Sequence, residues 1–201
     1  RPAAEVSRRT QELNSAELIA DDLLETVRSR LETATEYIKC YENGADVTNK
    51  TGSSEGSAIE FGYETEQGYN AAELLTADGC GPTKIVIADK DSGEQPRVEK
   101  GYLVERYYKD GYSQDADGNP IARAMTKTYA EGFYMGLRAG LHFKIDEAKH
   151  TVTATVTIYR DKDLTDKIYS DSLIIDLRYD IPVKTEVTAK QKTTTDIETG
   201  G

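Results

Sequence analysis

The residues able to do chemistry are few. Among 201 residues there are two histidines, His142 and His150, and two cysteines, Cys40 and Cys80. Neither histidine has a Cys, Ser or Asp beside it in a nucleophile motif. The chain contains no GxSxG, HExxH, P-loop or GxGxxG sequence. Four such side chains, so widely scattered, do not make a zinc site. Acids number 36, so frequent that no pair of them singles itself out. These residues point away from an enzyme, and no cofactor is expected.

Three weaker constellations remain. Asp115-Ala116-Asp117-Gly118-Asn119, with Asp110 upstream, offers the ligand types of a calcium loop. Its glycine falls at position four and no Glu closes it, so Asp115, Asp117 and Asn119 read better as a polar β-turn than as a metal site. Asn49-Lys50-Thr51 has the form of a glycosylation acceptor, a pattern short enough to arise by chance in a solvent-facing loop. A Cys40–Cys80 bridge would close a loop worth roughly 4 kcal/mol and would suit an exported protein. The alternative is two separate thiols, because sequence does not supply the Cα approach that a bridge requires. Thirteen tyrosines without tryptophan, including Tyr107, Tyr108 and Tyr112, could line a sugar- or protein-binding surface, or serve as amphipathic sheet residues.

Composition bounds the partners. The net charge is −11, which argues against nucleic acid, since a phosphate binder needs a basic face. No run of eighteen apolar residues is present to span a bilayer as a helix. The chain opens without Met and without a secretory leader, inside what reads as a helix. The expectation is that a leader and anchor ahead of Arg1 have been removed.

The elements that would position any site begin with that helix, expected over residues 1–39. Pro2 is tolerated in a first turn, and no Gly follows before Asn43-Gly44, which supplies a stop signal. Leu13, Ala16, Ala20, Leu24, Val27, Leu31, Ala34 and Ile38 recur at spacings of three and four, with Ile19 and Leu23 widening the stripe. At 1.5 Å per residue the span is about 50 Å. Residues 13–38 carry nearly all of the stripe, so residues 1–12 are expected to project from the body. Residues 40–83 read as a variable loop region, loosest at Ser53-Ser54-Glu55-Gly56-Ser57. Within it lie a short strand at Ile59–Tyr63 and a helical turn at Ala71–Leu75.

Residues 84–182 read as an antiparallel sheet domain, with strands at Lys84–Ala88 and Val98–Tyr108 flanking a turn at Asp91–Glu94. The clearest alternation is Phe133, Met135, Leu137, Ala139, Leu141, Phe143 and Ile145. It resumes as Val152, Ala154, Val156 and Ile158 against Thr151, Thr153, Thr155 and Thr157. After the turn at Asp161-Lys162-Asp163, Tyr169, Leu173, Ile175, Leu177 and Tyr179 complete a three-stranded meander. Residues 183–201 read as an edge strand or tail. The expected fold class is α+β, a long N-terminal helix laid across a mostly antiparallel sheet.

Ala4-Glu5-Val6-Ser7-Arg8-Arg9, continuing through Ala16-Glu17-Leu18-Ile19-Ala20-Asp21-Asp22-Leu23-Leu24, resembles the exposed half of a type IV pilin or pseudopilin helix. So do Tyr134-Met135-Gly136-Leu137, the Thr/Val strand 151–158, and Ile168-Tyr169-Ser170. The order of parts is similar to the prepilin-like proteins of Gram-positive bacteria. That resemblance implies a pilin-like fold and a peptidase site and apolar anchor upstream of Arg1. It implies a non-enzymatic subunit at the cell envelope or outside it, held in the membrane and then packed against sister subunits or other pilin-like proteins. Ala3, Ala4, Val6 and Leu13 would then form the assembly interface at the top of a helical bundle. Two other classes fit the same elements. One is a surface-anchored ligand- or carbohydrate-binding module. The other is a cystatin-like or nuclear-transport-factor-like domain with a closed apolar pocket between helix and sheet.

Overall fold

Helix α1 spans Pro2–Leu31, thirty residues and about 45 Å. It belongs to a computed structural model that describes residues 2–35, 37–42, 45–48, 54–62, 84–88, 99–114 and 120–180. The buried face of α1 is Ala16, Ile19, Ala20, Leu23, Leu24, Val27 and Leu31. This is the stripe the spacing predicts, without its upper end. Residues 2–11 are all exposed, and Leu13 keeps 44% of its surface.

The helix stops at Leu31, not at Lys39. The Thr33 and Ala34 amides bond the carbonyls three residues back, at 3.1 Å each, which tightens the last turn and ends it. The Thr35 amide then finds the Gly62 carbonyl at 3.1 Å, and the Tyr37 carbonyl takes the Gly62 amide at 3.1 Å. A sheet partner satisfies the backbone here, and β-branched Thr33, Thr35 and Ile38 favour that outcome. Ala34 and Ile38 are buried as expected, but from a turn and a strand. Asn43-Gly44 lies outside the described residues.

Ten strands follow among the described residues: β1 (Ile38–Glu42), β2 (Ala45–Asp46), β3 (Ser54–Gly56), β4 (Ala58–Gly62), β5 (Lys84–Ala88), β6 (Val104–Gln114), β7 (Pro120–Thr128), β8 (Arg138–Asp146), β9 (Thr151–Tyr159) and β10 (Lys167–Asp176). All pair antiparallel, in two sheets: β10-β9-β8-β3 and β2-β1-β4-β5-β6-β7. The molecule is therefore α+β, a helix ahead of antiparallel sheets, with α1 resting on β9 and β10. The meander β8-β9-β10 is the one the alternation predicts. Ala139, Leu141, Phe143 and Ile145 of β8 face inward with Val152, Ala154, Val156 and Ile158 of β9. From β10 only Ile175 is buried; Tyr169 and Leu173 pack at its margin, and Tyr179 is exposed. These side chains join the helix stripe and Ile38, Cys40, Ile59 and Phe61 of the second sheet in one core.

Three local expectations change, and one strand is new. The alternation expected from Phe133 starts later: Glu131–Tyr134 is a 3-10 turn, and Met135 and Gly136 take φ of 50° and 80°. That left-handed pair turns the chain before β8 and leaves Met135 exposed. The strand expected at Val98–Tyr108 begins at Val104, because Gly101 adopts φ of 95°, and it runs on to Gln114. Within the stretch expected to be loosest, Ser54–Gly56 is β3, paired with Ile145, Lys144 and Phe143 of β8. Strand β7, unforeseen, completes a hairpin with β6. The expected elements at Ala71–Leu75 and Asp91–Glu94 lie outside the described residues, as does everything from residue 181.

The two sheets meet where β3 crosses β1. A Cβ on Gly56 would sit 2.3 Å from the Tyr41 carbonyl oxygen, so backbone rests on backbone there. Ser57 alone separates β3, in one sheet, from β4, in the other.

Candidate functional site

At 3.6 residues per turn, eighteen residues make five whole turns of helix. Val6 therefore stands directly above buried Leu24, and Leu13 above buried Leu31. The core-facing side of α1 continues past the sheet with nothing beneath it among the described residues. Val6 keeps 63% of its surface. Ala3 and Ala4 occupy the azimuths of exposed Asp21 and Asp22, off that face. Exposed Leu18 lies on the same side as Ala4, an apolar position that the core stripe gave no reason to notice. Arg9 pairs with Glu5 one turn back at 2.6 Å, both largely solvated, so this pair adds little to the helix. No described helix is long and apolar enough to cross a membrane.

The first residue of α1 gripped by the body is Glu12. Its carboxylate takes two parallel hydrogen bonds from Arg160, at the end of β9: Nε to Oε1 and Nη2 to Oε2, both 2.8 Å. Arg160 also holds Asp166 through Nη1. The guanidinium keeps the Glu12 carboxyl below its ordinary range, and the paired acids push Arg160 up.

Farther down, Thr26 and Arg30 of α1 meet Glu105, Lys127, Thr128 and Tyr129 around an open pocket of about 130 Å³. Arg30 Nε bonds Glu105 Oε1 at 2.8 Å, and Glu105 is 2% exposed. Thr26 and Tyr129 share a hydrogen bond through their hydroxyls. Burial raises the Tyr129 phenol, partly offset by that bond. Its lining residues are charged, hydroxyl-bearing or aromatic, and it opens to solvent.

On the opposite face of the six-stranded sheet, Lys39, Glu60, Val86, Arg106 and Thr126 stand in register across five strands. Lys39, Glu60 and Arg106 are each at most 5% exposed. Tyr37 donates to Glu60 at 2.9 Å and Arg106 to Thr126 at 2.8 Å. Buried charges of this kind give no periodic apolar signal, which is why sequence reasoning passed over them.

The catalytic candidates stay apart. His142 lies on the outer face of β8 with Nε2 3.5 Å from Glu55, and His150 sits at the β8–β9 turn with Nδ1 3.5 Å from Asp180. Thr155, opposite His142, bonds Ser172 at 2.7 Å and not the imidazole. Among the described residues, each imidazole pairs with a carboxylate. Cys40 is buried on β1, its thiol 4.0 Å from the Phe143 carbonyl; Cys80 lies outside the described residues, so their pairing is not on view. Asp115, Asp117, Asn119 and the Asn49-Lys50-Thr51 acceptor also lie outside them, although Gln114 and Pro120 pair on either side of residues 115–119.

No protein-family model matches the chain, and no curated protein or solved structure is detectably similar to it. What the site can do therefore rests on its own geometry.

Proposed function

We propose that the chain is a non-enzymatic, pilin-like structural subunit of a bacterial surface filament or a type II-like secretion or uptake apparatus. It works by assembly. The projecting start of α1 packs laterally against the same helix of sister subunits or other pilin-like proteins at the cell envelope, and the acidic two-sheet body faces outward. The observation that carries this reading is the placement of Val6 and Leu13 above Leu24 and Leu31. An apolar face that continues beyond its own sheet gains stability only by meeting another surface, at roughly 25 cal/mol per Å² of apolar area covered.

Site-specific photo-cross-linking in the source cells tests it. A benzophenone side chain at Val6 or Leu13 of the full-length protein is expected to capture another copy or a second helical subunit. The same group at Ile174, exposed on the outer sheet face, is expected to capture neither. Capture from Ile174 alone would overturn the proposal.

A further inference from the structure

The β9–β10 turn is more elaborate than a connection requires. Asp161 accepts the Thr165 amide at 3.0 Å, the Thr165 hydroxyl at 2.7 Å and the Asp166 amide at 2.7 Å. These donors hold its carboxyl down to about 2. Leu164 takes φ of 60°, a conformation costly for a leucine outside a turn made to hold it. Lys100 reaches the Asp163 carbonyl at 3.3 Å, and the Arg160 amide closes the base on the Asp166 carbonyl at 2.9 Å. The Asp161 carboxylate and the Arg160 amide hold Asp166 in place, and Asp166 in turn holds the guanidinium of Arg160, which grips the helix. Arg160 extends from this platform and takes Glu12 in the two-pronged geometry that gives an Arg–carboxylate pair direction as well as attraction.

The placement matters. Glu12 is four residues, about one turn, ahead of Ala16, the first fully buried residue of α1. Without Arg160 the last firm contact of the helix would be Ala16, and the free length would grow by that turn. We infer that Arg160 is a positioning residue: the β9–β10 turn is a clamp that sets where α1 leaves the body and in which direction its first ten residues point. The clamp acts within one subunit and stands whether or not the helix assembles. If the proposed assembly holds, it also sets the angle at which the body hangs from the helical bundle.

Amide exchange and spin-label mobility in the 201-residue chain test the clamp. Arg160→Met is expected to speed exchange of the amides from residue 8 to residue 16 by about fivefold, as loss of one local contact does, and to leave the melting temperature of the body unchanged. A nitroxide on Leu13 should gain mobility in the same variant. Glu12→Gln should reproduce both effects and add nothing in the Arg160→Met background; Arg160→Lys should restore part of the protection. Arg28→Met, which removes a pair with Glu25 and Glu32 near the other end of α1, is the control and should leave residues 8–16 as they were. Unchanged exchange in Arg160→Met, or additive effects of the two clamp variants, would overturn the inference. Failure of cross-linking from Val6 would not alter these rates, so the two conclusions fall separately.

Discussion

The two halves of α1 are made of similar helix-forming residues and differ in what lies under them. From Ala16 to Leu31 every third or fourth side chain is buried against β9 and β10 or the second sheet, while Pro2 to Gln11 is exposed throughout. Isolated helical segments shorter than about 12–15 residues are marginal. The projecting half therefore borrows its order from the anchored half, through continuous backbone hydrogen bonding and the grip on Glu12. Helix propensity sets what a segment can be, and burial sets how firmly it stays so.

Proline is the bluntest way to break this comparison. Ala20→Pro removes an interior hydrogen bond and forces a ring into the core, so a loss of about 3 kcal/mol or more is expected, visible as a collapsed urea midpoint. Thr10→Pro breaks the same kind of bond in the projecting half. It should reduce helical circular dichroism and leave the urea transition where it was. A matching drop in both variants would show that the projecting half is part of the cooperative unit. Side-chain truncation sharpens the contrast. Leu24→Ala should cost about 2–5 kcal/mol, whereas Leu13→Ala, on the same side of the helix, should stay within about 0.5 kcal/mol in the monomer by chemical denaturation.

Alkali separates the halves chemically. Tyr134 is 1% exposed, its oxygen accepts the Leu103 amide at 2.8 Å, and burial pushes its phenol up to about 12. Its folded value lies above the unfolded value of 10. Its contribution is thus complete below pH 10 and lost as the pH rises toward 12, on the order of 2 kcal/mol. Helix α1 contains no tyrosine. Near-ultraviolet dichroism of the body should therefore fade first, with helical signal following only as the body unfolds. Loss of helix ahead of the aromatic signal would contradict that order.

Half of this architecture was legible because burial there is periodic. The stripe from Ala16 to Leu31 and the alternation along β8 and β9 each report a single buried face. The end of α1 was not legible, because Ala34 and Ile38 keep helical spacing while belonging to a turn and a strand. The six-stranded sheet was legible only in part. Strands at β4, β5 and the start of β6 were expected, but β1, β2 and β7 were not. Lys39, Glu60 and Arg106, charged yet buried, mask which face of β1, β4 and β6 is covered. Among site residues, Leu13 was readable from period, whereas Val6 was named only through the pilin resemblance. Arg160 was not, since nothing local to an arginine after a Thr/Val strand tells that it reaches a glutamate 148 positions away.

The crossing at Gly56 gives the molecule a defined load path. Tension applied along the free end of α1 shears the helix against β9 and β10, then passes through hydrogen bonds to β8 and β3, and reaches the other sheet through a covalent link one serine long. Because peptide rests on peptide at that crossing, no side chain is there to slide or change rotamer. A pull on the rod should therefore be felt by both sheets as one body.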